Sequence, residues 1–87
     1  DRRSDKVGMA ARVLFFGATA DTAGTRQTEI ETGENTTAAS VLEVLLRDYP
    51  SLAMHRLKIS INKSYAADSD PVRDGDELAV FTAVSGG

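Results

Sequence analysis

The chain has 87 residues, 41% hydrophobic and 26% charged, with seven Gly and two Pro; this describes one small globular domain, too short for a two-lobed enzyme and its cleft. It has no cysteine and a single histidine, His55, which excludes disulfides, thiolate zinc sites, a cysteine nucleophile and a His-rich metal site. Ten basic and thirteen acidic side chains leave a formal net charge of −3.

That charge is unevenly placed. Arg2, Arg3, Lys6 and Arg12 outnumber Asp1 and Asp5 in residues 1–12, whereas residues 13–87 carry six basic and eleven acidic side chains, a net −5. An acidic body is unsuited to nucleic acid, which draws its affinity from Lys and Arg on phosphates. It suits a basic protein partner, because complementary charge speeds encounter. No apolar run approaches the roughly 18 residues that span a bilayer, and the N-terminus lacks the basic-then-apolar layout of a signal peptide. The expectation is a soluble, cytoplasmic chain with no membrane contact and without the side chains of an enzyme acting alone.

In chain order, the polar and aperiodic residues 1–9 are expected to form a disordered extension. Arg12 to Gly17 (RVLFFG) reads as a strand, with Val13 and Phe15 on one face and Leu14 and Phe16 on the other. Both faces are apolar, so one covers the core and the other is covered too, or is open to a partner. ATADTAGT at 18–25 reads as a loop or one helical turn, and Arg26 to Glu31 as a second strand antiparallel to the first.

The helix signal is the clearest. Thr36 or Thr37 offers an N-cap hydroxyl, and Val41, Leu42, Leu45 and Tyr49 draw one apolar stripe. Arg47 suits the C-terminal end of the dipole, and Pro50 stops the helix. A helix this short needs a sheet beneath it. Lys58 to Asn62 then alternates, with Ile59 and Ile61 on the core face. The segment SYAADSDPVRDGDE contains the Asp74-Gly75 turn signal, and Glu77 to Phe81 is the last strand, with Leu78 and Val80 opposite Ala79 and Phe81. The order is β-β-α-β, a short turn or strand, then β. Right-handed crossover places the last strand beside the first, in parallel, which makes an α+β fold of four to five mixed strands with one main helix across one face.

The chemistry is expected at the far end, where TAVSGG carries no charge and finishes in Gly86-Gly87. Glycine has no Cβ, so such a backbone threads a channel that any other residue would plug. A carboxylate there is open to activation with a good leaving group such as AMP, and then to acyl transfer into a thiocarboxylate or an amide. The segment acts as a reactive arm, and the domain as its handle.

Together with VLFFG at 13–17, Gly24-Thr25, TEI at 28–30 and Ile61-Asn62, the segments DPVRDGDELAVF at 70–81 and VSGG at 84–87 make the chain resemble the ubiquitin-like β-grasp sulfur carriers of the MoaD/ThiS group. The likeness covers residues 12–87 and is strongest to the small, sulfur-carrier subunit of molybdopterin synthase. It implies a β-grasp domain over 10–81 and a flexible tail over 82–87. It also implies that an adenylating partner uses ATP and magnesium to form an acyl-adenylate on Gly87, which a sulfur donor protein converts to a thiocarboxylate. The carrier then docks on the large catalytic subunit and passes sulfur to cyclic pyranopterin monophosphate, making the molybdopterin dithiolene. Gly86 would supply clearance, and Val84 and Ser85 would line the partner's channel. Two carriers would sit on a dimeric large subunit, a heterotetramer. This chain itself would bind no cofactor and no metal.

The resemblance also implies an apolar docking patch on the sheet face away from the helix, at Phe16, Tyr65 and Phe81; the alternative is that all three are ordinary half-buried core aromatics. Where the group often has prolines before its tail, this chain has Thr82-Ala83. Other destinations for the same terminus are thiamin, cysteine or tRNA thiolation, or conjugation to lysines as a protein modifier. A non-catalytic β-grasp interaction module is a further alternative. Asp68, Asp70, Asp74, Asp76 and Glu77 lack calcium-loop spacing and are expected to form turns. His55 is expected at the surface.

Overall fold

The structure is a computed structural model that describes residues 9–82. Alternation begins two residues before the expected strand. Ala11, Val13 and Phe15 are buried while Arg12 is exposed and Leu14 half-buried, in β1 (Ala10–Phe15). β1 ends at Phe15 rather than Gly17, because Gly17 has φ 60° and ψ −131°, a conformation that a Cβ would clash out of. The chain turns there into α1 (Ala18–Ala23), a six-residue helix where a loop or a single turn was expected. β2 (Gln27–Glu31) then returns antiparallel to β1, with Val13 opposite Thr28 and Ala11 opposite Ile30.

The main helix α2 (Ala38–Asp48) forms where the apolar stripe placed it, with Val41 and Leu45 fully buried. Thr37 is its N-cap. Thr37 Oγ1 accepts from the Ser40 N–H at 3.2 Å, and the Thr37 N–H donates to Ser40 Oγ at 2.8 Å, a reciprocal capping box. The next orphan amides are satisfied from far along the chain: the Ala38 N–H donates to Asp70 O and the Ala39 N–H to Asp68 O. Tyr49 closes the helix, its ring edge-on to Phe15 at 5.5 Å. A 3₁₀ turn at Pro50–Met54 follows and buries Leu52.

β3 (Leu57–Ile61) and the two-residue β4 (Ser64–Tyr65) make a tight hairpin. Its two central residues, Asn62 and Lys63, both have positive φ, 50° and 73°, the pattern whose twist matches paired strands. The acidic segment behind it forms turns as expected. Asp70 Oδ2 accepts from the Ala67 N–H and Asp74 Oδ1 from the Ala10 N–H, each at 2.9 Å, and Asp76 Oδ2 accepts from the Arg73 N–H at 2.8 Å. Gly75, at φ 85°, completes the turn closed by the Asp76 N–H on Arg73 O. The segment lays Val72 into the core with 1% exposure.

β5 (Glu77–Thr82) runs parallel to β1 and antiparallel to β3, giving the strand order β2-β1-β5-β3-β4. It carries Thr82, where the tail was expected to begin, because Leu57 of β3 lies opposite and continues the ladder. One face of this mixed sheet, carrying Val13, Phe15, Ile59, Leu78 and Val80, packs with Val41 and Leu45 of α2 into a single core. The fold is a ubiquitin-like β-grasp. His55 departs from the surface position expected of it: it is half-buried, with Nε2 2.7 Å from Thr22 Oγ1, and ties the 3₁₀ turn to α1.

Candidate functional site

The face of the sheet turned away from α2 is set by strand parity. Leu14 lies opposite Ala79 across the β1–β5 pair, Ser60 lies opposite Ala79 and also opposite Tyr65, and Phe81 lies opposite Lys58. All of these side chains point away from the core that Val13, Ile59, Leu78 and Val80 build on the other side. Phe16 follows β1 by one residue and stays on the ladder through its N–H, which donates to Val80 O at 3.0 Å.

Here the two readings of the aromatics separate. Phe16 is 50% exposed and Tyr65 82% exposed, so neither is a core residue. Phe81 is half-buried, and its ring lies 5.9 Å from that of Tyr65. Leu14, Phe16, Ala79, Phe81 and Tyr65 thus form an apolar strip contributed by the β1 end, β5 and β4, which reaches across β3, where Lys58 lies beside it. Toward the other end of the same face Arg12 lies opposite both Glu29 and Glu77, with a surface ion pair of 3.9 Å to Glu77. The strip sits at the end of the sheet where β5 finishes, at Thr82. A groove of about 530 Å³ runs beside Phe16, between Leu14, Ala20, Asp21 and Arg26.

The backbone beneath Phe16 is held by a residue that no sequence pattern singles out. Thr19, fully buried in α1, places its hydroxyl 2.6 Å from Phe16 O and 3.0 Å from Val80 O. Nothing in ATADTAGT marks this threonine apart from its neighbours; only the fold of α1 back onto β5 gives it a role. Of the sequence-based candidates, Phe16, Tyr65 and Phe81 share one face, while Val84, Ser85, Gly86 and Gly87 lie outside the described residues, as do residues 1–8. Among the described residues no group of three or more His, Cys, Asp or Glu side chains could hold a metal ion, and no helix is long and apolar enough to cross a membrane.

Comparison with known proteins agrees with this geometry. The profile of the ThiS family matches residues 13–87. A relative from Mycobacterium tuberculosis (strain ATCC 25618 / H37Rv), named molybdopterin synthase sulfur carrier subunit, is 33% identical over 78 residues, covering 86% of this chain and 94% of its own. The crystal structure of SAMP1 from Haloferax volcanii superposes with a TM-score of 0.78 at 26% identity, covering 90% of this chain and 99% of that one. A chain from the complex of subunits 1 and 2 of the molybdopterin-converting factor of Helicobacter pylori 26695 shares the fold, with a TM-score of 0.62 at 22% identity over 91% of this chain and 100% of that one. The family match, the strand order and the single crossing helix together show that the chain belongs to the ThiS family, the MoaD/ThiS group of ubiquitin-like β-grasp proteins.

Proposed function

We propose that this chain is the sulfur-carrying subunit of a molybdopterin synthase, working in the cytoplasm and contributing no catalytic side chain of its own. The observation that carries the reading is the exposed aromatic strip of Phe16, Phe81 and Tyr65 beside the end of β5, in a family match that runs on through Gly86-Gly87. The name borne by the Mycobacterium tuberculosis relative supports it.

In this reading the Gly87 carboxylate attacks the α-phosphorus of ATP on an adenylating partner, with magnesium on the nucleotide and pyrophosphate leaving. Sulfide-level sulfur supplied by a sulfur donor protein then attacks the acyl carbon, the C–O bond to AMP breaks, and a thiocarboxylate is left at Gly87. The carrier docks through the aromatic strip on the large subunit, and its last residues enter that subunit's site, where Gly86 offers no Cβ to obstruct entry. The sulfur attacks cyclic pyranopterin monophosphate, water attacks the Gly87 carbonyl as its C–S bond breaks, and the tail returns to a carboxylate. Val84 and Ser85 contact the channel walls. Aromatic anchors at the centre of a patch dominate docking energy, and the net charge of −5 on residues 13–87 steers the carrier toward a basic partner. The reading sets two carriers on a dimeric large subunit.

A second reading, a protein modifier joined through Gly87 to a lysine amine, is favoured by the likeness to SAMP1, whose Haloferax volcanii form is also named small archaeal modifier protein 1. Intact-mass spectrometry separates the two readings. Incubation with an adenylating enzyme, ATP, magnesium and a sulfur source should exchange one terminal oxygen for sulfur, and adding the large subunit with the pterin precursor should reverse the exchange and yield dithiolene product. A mass that never changes would overturn the carrier reading. Transfer to lysines in place of the pterin would favour the modifier.

A further inference from the structure

We propose that Thr19 is a positioning residue for docking, its buried hydroxyl locking the Phe16 anchor to β5, the strand that delivers the tail. The proposal rests on the docking role of the aromatic strip. Phe16 is half exposed and belongs to neither β1 nor α1, a place where a side chain ordinarily wanders. Its backbone is nevertheless held on both sides. The Phe16 N–H donates to Val80 O at 3.0 Å, and Phe16 O accepts from the Thr19 N–H at 3.2 Å and from Thr19 Oγ1 at 2.6 Å.

The hydroxyl's second contact, 3.0 Å to Val80 O, reaches across the fold to β5. A hydroxyl has one proton to donate, and both carbonyls already accept a backbone amide. Thr19 Oγ1 is therefore not needed to satisfy a buried acceptor. A valine would fill the same shape, leave no orphaned carbonyl and remove a buried polar group. What the threonine adds to the Phe16 N–H bond on Val80 O is a second tie between the same two residues, its one proton shared between Phe16 O and Val80 O. Two anchors kept at a fixed separation lose less freedom on binding, and that raises affinity without adding a contact to the partner.

The test compares Thr19→Val, Thr19→Ser and Phe16→Ala in the full chain, loaded with sulfur, against the large subunit. Thr19→Val should melt within a few degrees of wild type, bind the large subunit about tenfold more weakly, and transfer sulfur at an unchanged rate when that subunit is saturating. Thr19→Ser keeps the hydroxyl and should restore affinity. Should the valine variant fail to fold, Thr19→Ala repeats the comparison, and it must lose affinity beyond whatever Thr19→Ser loses. Wild-type affinity in Thr19→Val beside weakened Phe16→Ala would overturn the positioning role and leave the docking face standing. Equal losses in Thr19→Val and Thr19→Ser, in step with lower melting temperatures, would reduce Thr19 to a structural residue. Wild-type affinity in Phe16→Ala would instead remove the docking reading itself.

Discussion

The ring of Tyr65 lies 5.9 Å from the ring of Phe81, tilted 49° to it, although β3 stands between their strands. Ser60 pairs with Tyr65 and Lys58 with Phe81, so the two aromatics meet diagonally over β3, within the reach of long side chains across a sheet. The contact builds an apolar surface from one half-buried ring and one that is almost wholly in solvent.

The difference in burial separates binding from folding. Tyr65→Ala should leave stability within about 0.5 kcal/mol of wild type, as exposed positions do, while weakening the large-subunit complex by about 2 kcal/mol. Phe81→Ala should cost both. Calorimetric titration alongside urea unfolding distinguishes them. An unchanged affinity for Tyr65→Ala would remove that residue from the docking face.

Replacing Gly86 with Val, or adding one residue after Gly87, should leave the melting temperature of the domain unchanged. Both sites lie outside the described residues 9–82, in which the core is built. Both changes should abolish transfer to the pterin, and the added residue should also abolish sulfur loading. Intact mass and a dithiolene assay read the two steps separately. A variant that still completes transfer would disprove the role given to the diglycine.

Lys63 sits at φ 73° in the β3–β4 hairpin, a left-handed conformation that costs a non-glycine residue roughly 1–2 kcal/mol. Part of that is regained by Lys63→Gly, which should stabilise the domain by about 1 kcal/mol and raise its melting temperature by about 4–8 °C. A drop in stability would show that the lysine side chain makes a compensating contact.

Thr37→Ala removes the N-cap acceptor of α2. The expected loss is about 1 kcal/mol, held down because the carbonyls of Asp68 and Asp70 still serve the Ala39 and Ala38 amides. Chemical denaturation measures it. A loss several times larger would mean that the cap also anchors the segment crossing above it, through the Thr37–Pro71 bridge.

Much of this molecule was legible in the chain. Period-two and helical patterns identified β1, β2, β3, β5 and α2 to within two residues at each end, because those elements bury one face against a common core and the pattern is the burial. Parity on β1 and β5 also separated Val13, Phe15, Leu78 and Val80 from Leu14, Phe16, Ala79 and Phe81. At α1 the sequence predicts a loop or a single turn, since ATADTA has no apolar stripe; the segment is helical because Gly17 turns the chain and Thr19 binds it to β5. The Asn62-Lys63 hairpin carries no glycine, and with Lys63 at its second position the turn lacks the Asn-Gly signature although both residues take positive φ. His55 looked like a surface residue because its partner, Thr22, lies on a distant element.

By itself, then, the sequence determined which side chains face the core and which do not, because alternation and helical spacing are properties of neighbouring residues. Only the tertiary structure decided which outward-facing residues meet. The contact of Tyr65 with Phe81 across β3, and the hold of Thr19 in α1 on Val80, both depend on elements distant in sequence that the whole fold brings together, which no local pattern encodes.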